Sequence, residues 1–194
     1  MKLRHFTPQE ETMLAYLYLA FAVLFRLVPH GPFTSLCSSC GLWNFTPVGA
    51  SLLYFGARQP RRRMWIPVAA LAASDIVLNL FIWHVRLDAS TVIVWTWYAA
   101  AVLLGGVLQK RLSIGRLAAC SVGLTAIFFM ISNFAVWAGS TLYPHTIAGL
   151  FTSYVMAIPF VKSMLLGDLI FSAAFFGLPV ALASLHRAVA RTAA

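Results

Sequence analysis

Long apolar stretches separated by short polar segments are the main pattern along this chain. A membrane-crossing α-helix needs about 20 predominantly apolar residues, and five stretches approach or reach that length. With a shorter sixth, they predict transmembrane helices at Met13–Val28, Phe45–Ala57, Met64–Trp83, Thr91–Leu108, Ile114–Ala138 and Ser163–Leu185. The pattern predicts an all-α integral membrane fold, with a single transmembrane domain over residues 1–194.

The shortest stretch lies within "NFTPVGASLLYFGA" (Asn44–Ala57) and is ambiguous by length alone. Runs of about 10–14 apolar residues are typical of buried or re-entrant elements as well as of short spans. If it crosses, all of the 14 basic residues except Arg26, Arg86 and Lys162 share one side. Basic residues concentrate on cytoplasmic loops. The charges therefore predict six spans, with the N-terminus and the C-terminus both inside.

Composition supports the same environment. The chain is 61% hydrophobic and 10% charged, whereas about a quarter of the residues in soluble domains are charged. So few polar residues could not cover the surface of a soluble domain. The net charge of +9 is explained by topology and by anionic lipid at the inner leaflet, so no nucleic-acid partner is predicted.

The segment "TPQEE" before the first span has the features of a helix start. Thr7 is predicted as the N-cap, Pro8 as the first helical residue, and Glu10 and Glu11 as acidic residues of the first turn. No small-residue cleavage site follows, so the first span is expected to remain in the mature protein. The long connections are predicted at the outer face, at Pro29–Trp43, His84–Ser90 and Gly139–Lys162.

Polar side chains are concentrated toward the outer ends of the spans. Ionisable groups at membrane depth are costly and usually face a cavity or a partner. The candidate ligand-binding residues of an outward-facing pocket are Arg26, His30, Asn44, Asp75, Asn79, Asn133, Tyr143 and Asp168. Each has a structural alternative: Asp75 could pair with Arg26 or a helix end, Asp168 with Lys162, and the amides could bond across helices.

Cys37 and Cys40 form a "CSSC" motif in the first outer loop. Such a pair can form a disulfide, exchange thiols or bind a soft metal, and all three alternatives stay open. The strand and helix that flank thioredoxin-type motifs are not indicated. No G-x-S-x-G, Walker A or H-E-x-x-H sequence occurs, which favours a transport protein over an enzyme.

Four blocks carry a resemblance to a known family. They are "NFTPVGASLLYFGA" (Asn44–Ala57), "SDIVLN" (Ser74–Asn79), "SNFAVWAGSTLYPHTIAGL" (Ser132–Leu150) and "YVMAIPFVKSMLLGDLIFSAAFFG" (Tyr154–Gly177). In this order they resemble small bacterial six-span membrane proteins of unknown function. That family is grouped with the S-components of energy-coupling factor (ECF) vitamin transporters.

The resemblance implies an S-component-like six-helix bundle in the bacterial cytoplasmic (inner) membrane. Such a subunit captures a vitamin-like ligand from outside and works with an ECF coupling protein and ATPases, or alone in solitary cobalamin carriers. The first span lacks the small residues four apart that dock many S-components, which favours a solitary carrier. The resemblance then implies no intrinsic cofactor, cobalamin or a related corrinoid as substrate, and Cys37 or Cys40 as a ligand to cobalt.

Two functions from different classes are therefore expected. The first is a substrate-binding subunit or solitary carrier for vitamin uptake. The alternative is a membrane thiol-disulfide oxidoreductase that uses Cys37 and Cys40. Replacing both cysteines with serine would abolish redox activity, whereas it would weaken a carrier only if the ligand needs a thiolate.

Overall fold

A computed structural model describes residues 7–27, 44–84, 86, 87 and 89–192. Within these ranges the chain forms six α-helices and no strand, which confirms the all-α prediction. The helices are α1 (Pro8–Leu27), α2 (Val48–Arg58), α3 (Trp65–Val77), α4 (Ala89–Leu108), α5 (Ile114–Gly139) and α6 (Ile147–Thr192). A 3₁₀ turn, Arg61–Arg63, precedes α3, and a π-helical turn, Leu78–Ile82, extends it.

The surface of the bundle has the character of a membrane protein. On α5, the side chains of Ile127, Met130 and Phe134 are each more than half exposed, and continuous apolar surface of this kind requires lipid or a partner. Among the described residues, four segments are long and apolar enough to cross a membrane: Arg61–Ile82, Thr91–Leu108, Ile114–Gly139 and Ile147–Leu182. The polar first turn of α1 and the eleven residues of α2 keep those two helices out of this set.

The start of α1 is capped as the sequence predicts. The Glu10 amide donates to Thr7 Oγ1 at 3.3 Å, and the Glu10 carboxylate accepts from the Thr7 amide at 2.7 Å. This reciprocal pair is a capping box. Glu11, one residue further on, accepts a hydrogen bond of 2.9 Å from Arg58 at the end of α2.

The short helix α2 lies at the centre of the bundle. Every residue from Val48 to Ala57 is buried, and the helix packs on α1, α4, α5 and α6. At 1.5 Å per residue it is about 17 Å long, against about 30 Å of hydrocarbon. The stretch is therefore a helix, but other helices surround it and it has no lipid-facing side.

Two glycines allow α2 and α4 to approach closely. A Cβ on Gly56 would overlap the carbonyl oxygen of Val102, and a Cβ on Gly105 would overlap the carbonyl oxygen of Leu53. Each helix thus presents its backbone to the other. Small residues at helix interfaces allow this close packing in membranes.

The prediction that Gly139–Lys162 is a long connection is wrong. Helix α6 begins at Ile147, after a turn in which Thr146 Oγ1 accepts from the Gly149 amide at 3.1 Å. The predicted start at Ser163 failed because Pro159 and Lys162 interrupt the apolar pattern without ending the helix. Prolines are tolerated in membrane helices where nearby groups satisfy the freed backbone.

The helices place alternate connections at opposite ends of the bundle. Tyr18 of α1 stacks on Phe175 of α6 with ring centroids 4.0 Å apart, and Phe25 meets Phe171, nearer the start of α6, so these helices run antiparallel. The Gln109 side chain donates to the carbonyls of Gly56 and Gln59 at 2.7 and 2.8 Å. The α2–α3 connection (59–64) and the α4–α5 connection (109–113) therefore lie together. We term this end of the bundle, where both connections carry arginine or lysine, the basic end.

Candidate functional site

A cleft lies at the end of the bundle opposite the basic end. It has two lobes, of about 170 and 150 Å³. The first lobe is lined by Asn44, Phe128, Phe129, Ser132, Asn133, Ala157, Phe160, Val161 and Met164. The second lobe is lined by Arg26, Asn44, Thr46, Val48, Val94, Trp97, Tyr98, Phe128 and Met164. Because they share Asn44, Phe128 and Met164, the lobes are neighbouring parts of one cleft.

Asn44 reaches both lobes through an unusual backbone conformation. Its φ is 69°, in the left-handed region that asparagine adopts more readily than most residues. The chain then passes through Thr46 and Pro47 into the first turn of α2. The cleft therefore lies beside the buried start of the short central helix.

An ion pair between Arg26 and Asp75 borders the second lobe. Asp75 is 4% exposed, and its carboxylate accepts hydrogen bonds from Arg26 Nη2, from Trp95 Nε1 at 3.0 Å and from the Tyr98 hydroxyl at 3.4 Å. Arg26 Nη1 also donates to Ser74 Oγ at 2.9 Å. Helices α1, α3 and α4 thus meet at one charge-balanced cluster. The structural alternative for Asp75, pairing with Arg26, is confirmed.

Trp95 and Tyr98 belong to this cluster but are absent from the sequence-based candidates. They lie three residues apart on α4 and therefore share one face. That spacing, in "WTWY" (Trp95–Tyr98), was the available signal. Tyr98 also lies under the Arg26 guanidinium, with 5.9 Å between the guanidinium carbon and the ring centroid.

Asn79 and Asn133, both half-buried, differ in their relation to the cleft. Asn133 Nδ2 donates to the Phe129 carbonyl at 2.8 Å and lines the first lobe. Asn79 Nδ2 makes the equivalent bond within its own helix, to the Asp75 carbonyl at 2.9 Å, but does not line either lobe. Asn79 lies in the π-helical turn, a distortion often found at functional sites.

Asp168 lines neither lobe of the cleft and lies between α2, α5 and α6. It is 2% exposed and accepts a hydrogen bond of 2.8 Å from Thr125 Oγ1. Its other oxygen lies so close to Gly49 that a Cβ there would overlap it. One turn along, Ser121 and Ser172 bond at 3.1 Å. These residues form a polar seam between α5 and α6.

The predicted ion pair between Asp168 and Lys162 is wrong. Lys162 is exposed, and neither of the two ion pairs in the described ranges includes it. Residues six apart on an α-helix point about 120° away from each other. The carboxylate faces the protein interior while the amine faces outward.

Replacing Thr125 with valine is expected to lower the free energy of unfolding by about 1–2 kcal/mol, because it removes a donor to a buried carboxyl group. Thr96→Val is the matched control, since Thr96 is exposed and bonds within its own helix to Val92. Denaturation of the purified proteins in mixed detergent micelles measures both. Equal effects of the two substitutions would contradict a structural role for the seam.

The remaining candidates do not reach the cleft in the described part of the chain. Tyr143 is half-buried in the α5–α6 connection and lines neither lobe. His30, Cys37 and Cys40 lie outside the described residues, so the proposed cobalt ligands stay a prediction. Among the residues that were described, no group of three His, Cys, Asp or Glu side chains is placed to hold a metal.

Comparison with known proteins gives one match. Residues 6–190 match a protein family described as "Family of unknown function (DUF6580)". No curated protein and no solved structure matches the chain. Because the match covers nearly the whole chain, the protein belongs to this family.

Proposed function

We propose that this member of the DUF6580 family is a membrane subunit or solitary carrier that binds a small vitamin-like ligand in the two-lobed cleft. The observation that carries the proposal is the Arg26–Asp75 ion pair at the wall of the second lobe. Ionisable side chains at membrane depth are costly, and they commonly mark a functional site. Here it holds three helices together beside the second lobe of the cleft, which Arg26 lines.

The lining of the cleft supports small-molecule binding. Ligand sites are mostly apolar and aromatic, with a few polar groups that fix orientation. Phe128, Trp97 and Tyr98 supply ring surfaces, and Asn44 and Asn133 supply amides. Since the Arg26 charge is balanced by Asp75, this set favours a neutral ligand that can stack on aromatic rings.

The size of the cleft bears on the choice of ligand. The two lobes together fall near the lower end of the roughly 300–1,000 Å³ that is usual for ligand pockets. That volume favours a compound of one or two rings over a corrinoid. The cobalamin form of the proposal, with Cys37 or Cys40 on cobalt, draws on the resemblance to solitary S-components alone.

The proposal includes an orientation and a location. With the basic end on the cytoplasmic side of a bacterial inner membrane, the termini are inside and the cleft opens outward. Transport would then use either an ECF coupling protein with its ATPases or no partner. The competing function, thiol-disulfide exchange, rests on Cys37 and Cys40 only.

The first test is to purify the protein in detergent from cells grown in rich medium, denature it and determine the mass of any released molecule. A vitamin-like compound, or thermal stabilisation by one member of a vitamin panel that includes cobalamin, is expected. A corrinoid spectrum that changes in Cys37→Ser or Cys40→Ser would assign the cobalt ligand. Absence of any ligand, together with a Cys37–Cys40 disulfide that cycles with quinone, would favour the oxidoreductase.

Once a ligand is identified, Asn133→Ala is expected to weaken its binding about tenfold, the effect of losing about one hydrogen bond. Asn79→Ala is the matched control, because it removes the same kind of intrahelical bond outside the cleft. Isothermal titration measures both affinities. Equal losses in the two variants would show that the cleft is not the binding site.

A further inference from the structure

The basic end carries a dense set of positive charges that the cleft does not use. Its described basic residues are Arg58, Arg61, Arg62, Arg63, Lys110, Arg111 and Arg116. Glu10 and Glu11, at the start of α1, are the acidic residues described there, and Glu11 pairs with Arg58. Positive charge therefore exceeds negative charge across this surface, whatever the pairing of individual side chains.

The fold holds the two basic connections side by side. Gln109, which follows α4, donates to the carbonyls of Gly56 and Gln59 at the end of α2. Within the α2–α3 connection, Arg63 Nη1 donates to Gln59 Oε1 at 3.2 Å. Arg116 Nη1, in the first turn of α5, donates to the Arg111 carbonyl of the α4–α5 connection at 3.3 Å. Arg61, Arg62, Lys110 and Arg111 are all exposed, so their cationic groups are available to a partner.

Exposed apolar side chains adjoin these charges. Trp65 is 67% exposed at the first residue of α3, and Ile114 is 89% exposed at the first residue of α5. Tryptophan is enriched at the level of lipid headgroups. A partner with an anionic head and an apolar tail would satisfy both kinds of side chain, whereas nucleic acid, free phosphate or an acidic protein would satisfy only the charges.

We propose that the basic end is a binding site for anionic phospholipid, independent of the function of the cleft. The phosphodiester group lies between the two connections, where Arg61 and Arg62 approach it from one side and Lys110 and Arg111 from the other. Trp65 and Ile114 contact the glycerol and upper acyl region. Binding at this site fixes the positions of α2 and α4, which both end here.

The test is to titrate phosphatidylglycerol or phosphatidylcholine into the full-length protein in detergent and count bound lipids by native mass spectrometry. Wild-type protein is expected to prefer phosphatidylglycerol. Each of the double variants Arg61→Gln/Arg62→Gln and Lys110→Gln/Arg111→Gln should weaken that binding about 30-fold, which is the loss expected when two basic side chains are removed from an anionic lipid surface. The charge-preserving Arg61→Lys/Arg62→Lys variant should retain most of it.

The matched control is Arg86→Gln/Lys162→Gln, which removes two exposed basic side chains away from the basic end and should leave lipid preference unchanged. Equal binding of the two lipids by wild-type protein would overturn the proposal, as would an equal loss in the control. Competition by glycerol phosphate at lipid concentrations would assign the site to a free phosphate instead. Tighter binding of RNA or a polyglutamate peptide than of phosphatidylglycerol would also overturn it.

Discussion

Arg26→Ala is expected to lower the free energy of unfolding by about 3–5 kcal/mol, the usual result of leaving a buried charge without its partner. Asp75 would keep its bonds to Trp95 and Tyr98 but lose the opposite charge. Asp75→Asn should be destabilising for the converse reason, since it leaves the Arg26 guanidinium uncompensated. Detergent-based equilibrium unfolding measures each variant.

A double-mutant cycle separates the pair from its surroundings. Arg26→Ala/Asp75→Asn removes both charges while leaving an acceptor for Trp95 and Tyr98, so it should be less destabilised than the sum of the two single changes. Arg86→Ala, which removes an exposed arginine, should change stability by less than about 0.5 kcal/mol. Simple additivity in the cycle would show that the two charges do not interact.

Gly56→Ala and Gly105→Ala are the second pair of substitutions with large expected effects. Each added methyl would meet a backbone carbonyl of the facing helix, which cannot rotate away as a side chain could. Forced overpacking of this kind destabilises by about 1–3 kcal/mol, occasionally more, and here it would separate α2 from α4. The melting temperature in mild detergent should fall for both variants.

Gly123→Ala distinguishes packing from helix propensity. Gly123 lies inside α5, and no atom of a facing helix lies within 4 Å of the position that an alanine methyl would take. Alanine should therefore be neutral or stabilising there, as it is in an unobstructed helix. If Gly123→Ala destabilised the protein as much as Gly56→Ala, the close approach of α2 and α4 would not explain the loss.

The helices that basic or polar residues delimit were predictable from the sequence. The predicted span Thr91–Leu108 lies within α4, and Ile114–Ala138 differs from α5 by one residue. The enclosure of α2 by other helices was not predictable, because lipid tails and apolar side chains are similar solvents for an apolar helix. The start of α6 was not predicted either. Pro159 and Lys162 interrupt the apolar pattern, but the helix continues through both residues.

The site was predictable in part. With few ionisable residues in the spans, Arg26 and Asp75 were natural partners, and the structure joins them. Asn44 and Asn133 also reach the cleft. Asp168 did not follow the prediction because sequence distance to Lys162 ignores the direction in which each side chain leaves the helix. The aromatic lining of the cleft was not identified, since rings that bind a ligand and rings that face lipid look alike in sequence.

The enclosure of α2 also bears on how the protein is made. During synthesis α2 emerges before α4, α5 and α6, three of the four helices that surround it. Eleven residues are too few for independent insertion across hydrocarbon. Until α4 is in place, the backbone of α4 that packs against Gly56 of α2 is also missing. Much of the packing that holds α2 in the bundle is therefore supplied by helices translated after it, so α2 cannot reach its final surroundings until those helices are in place.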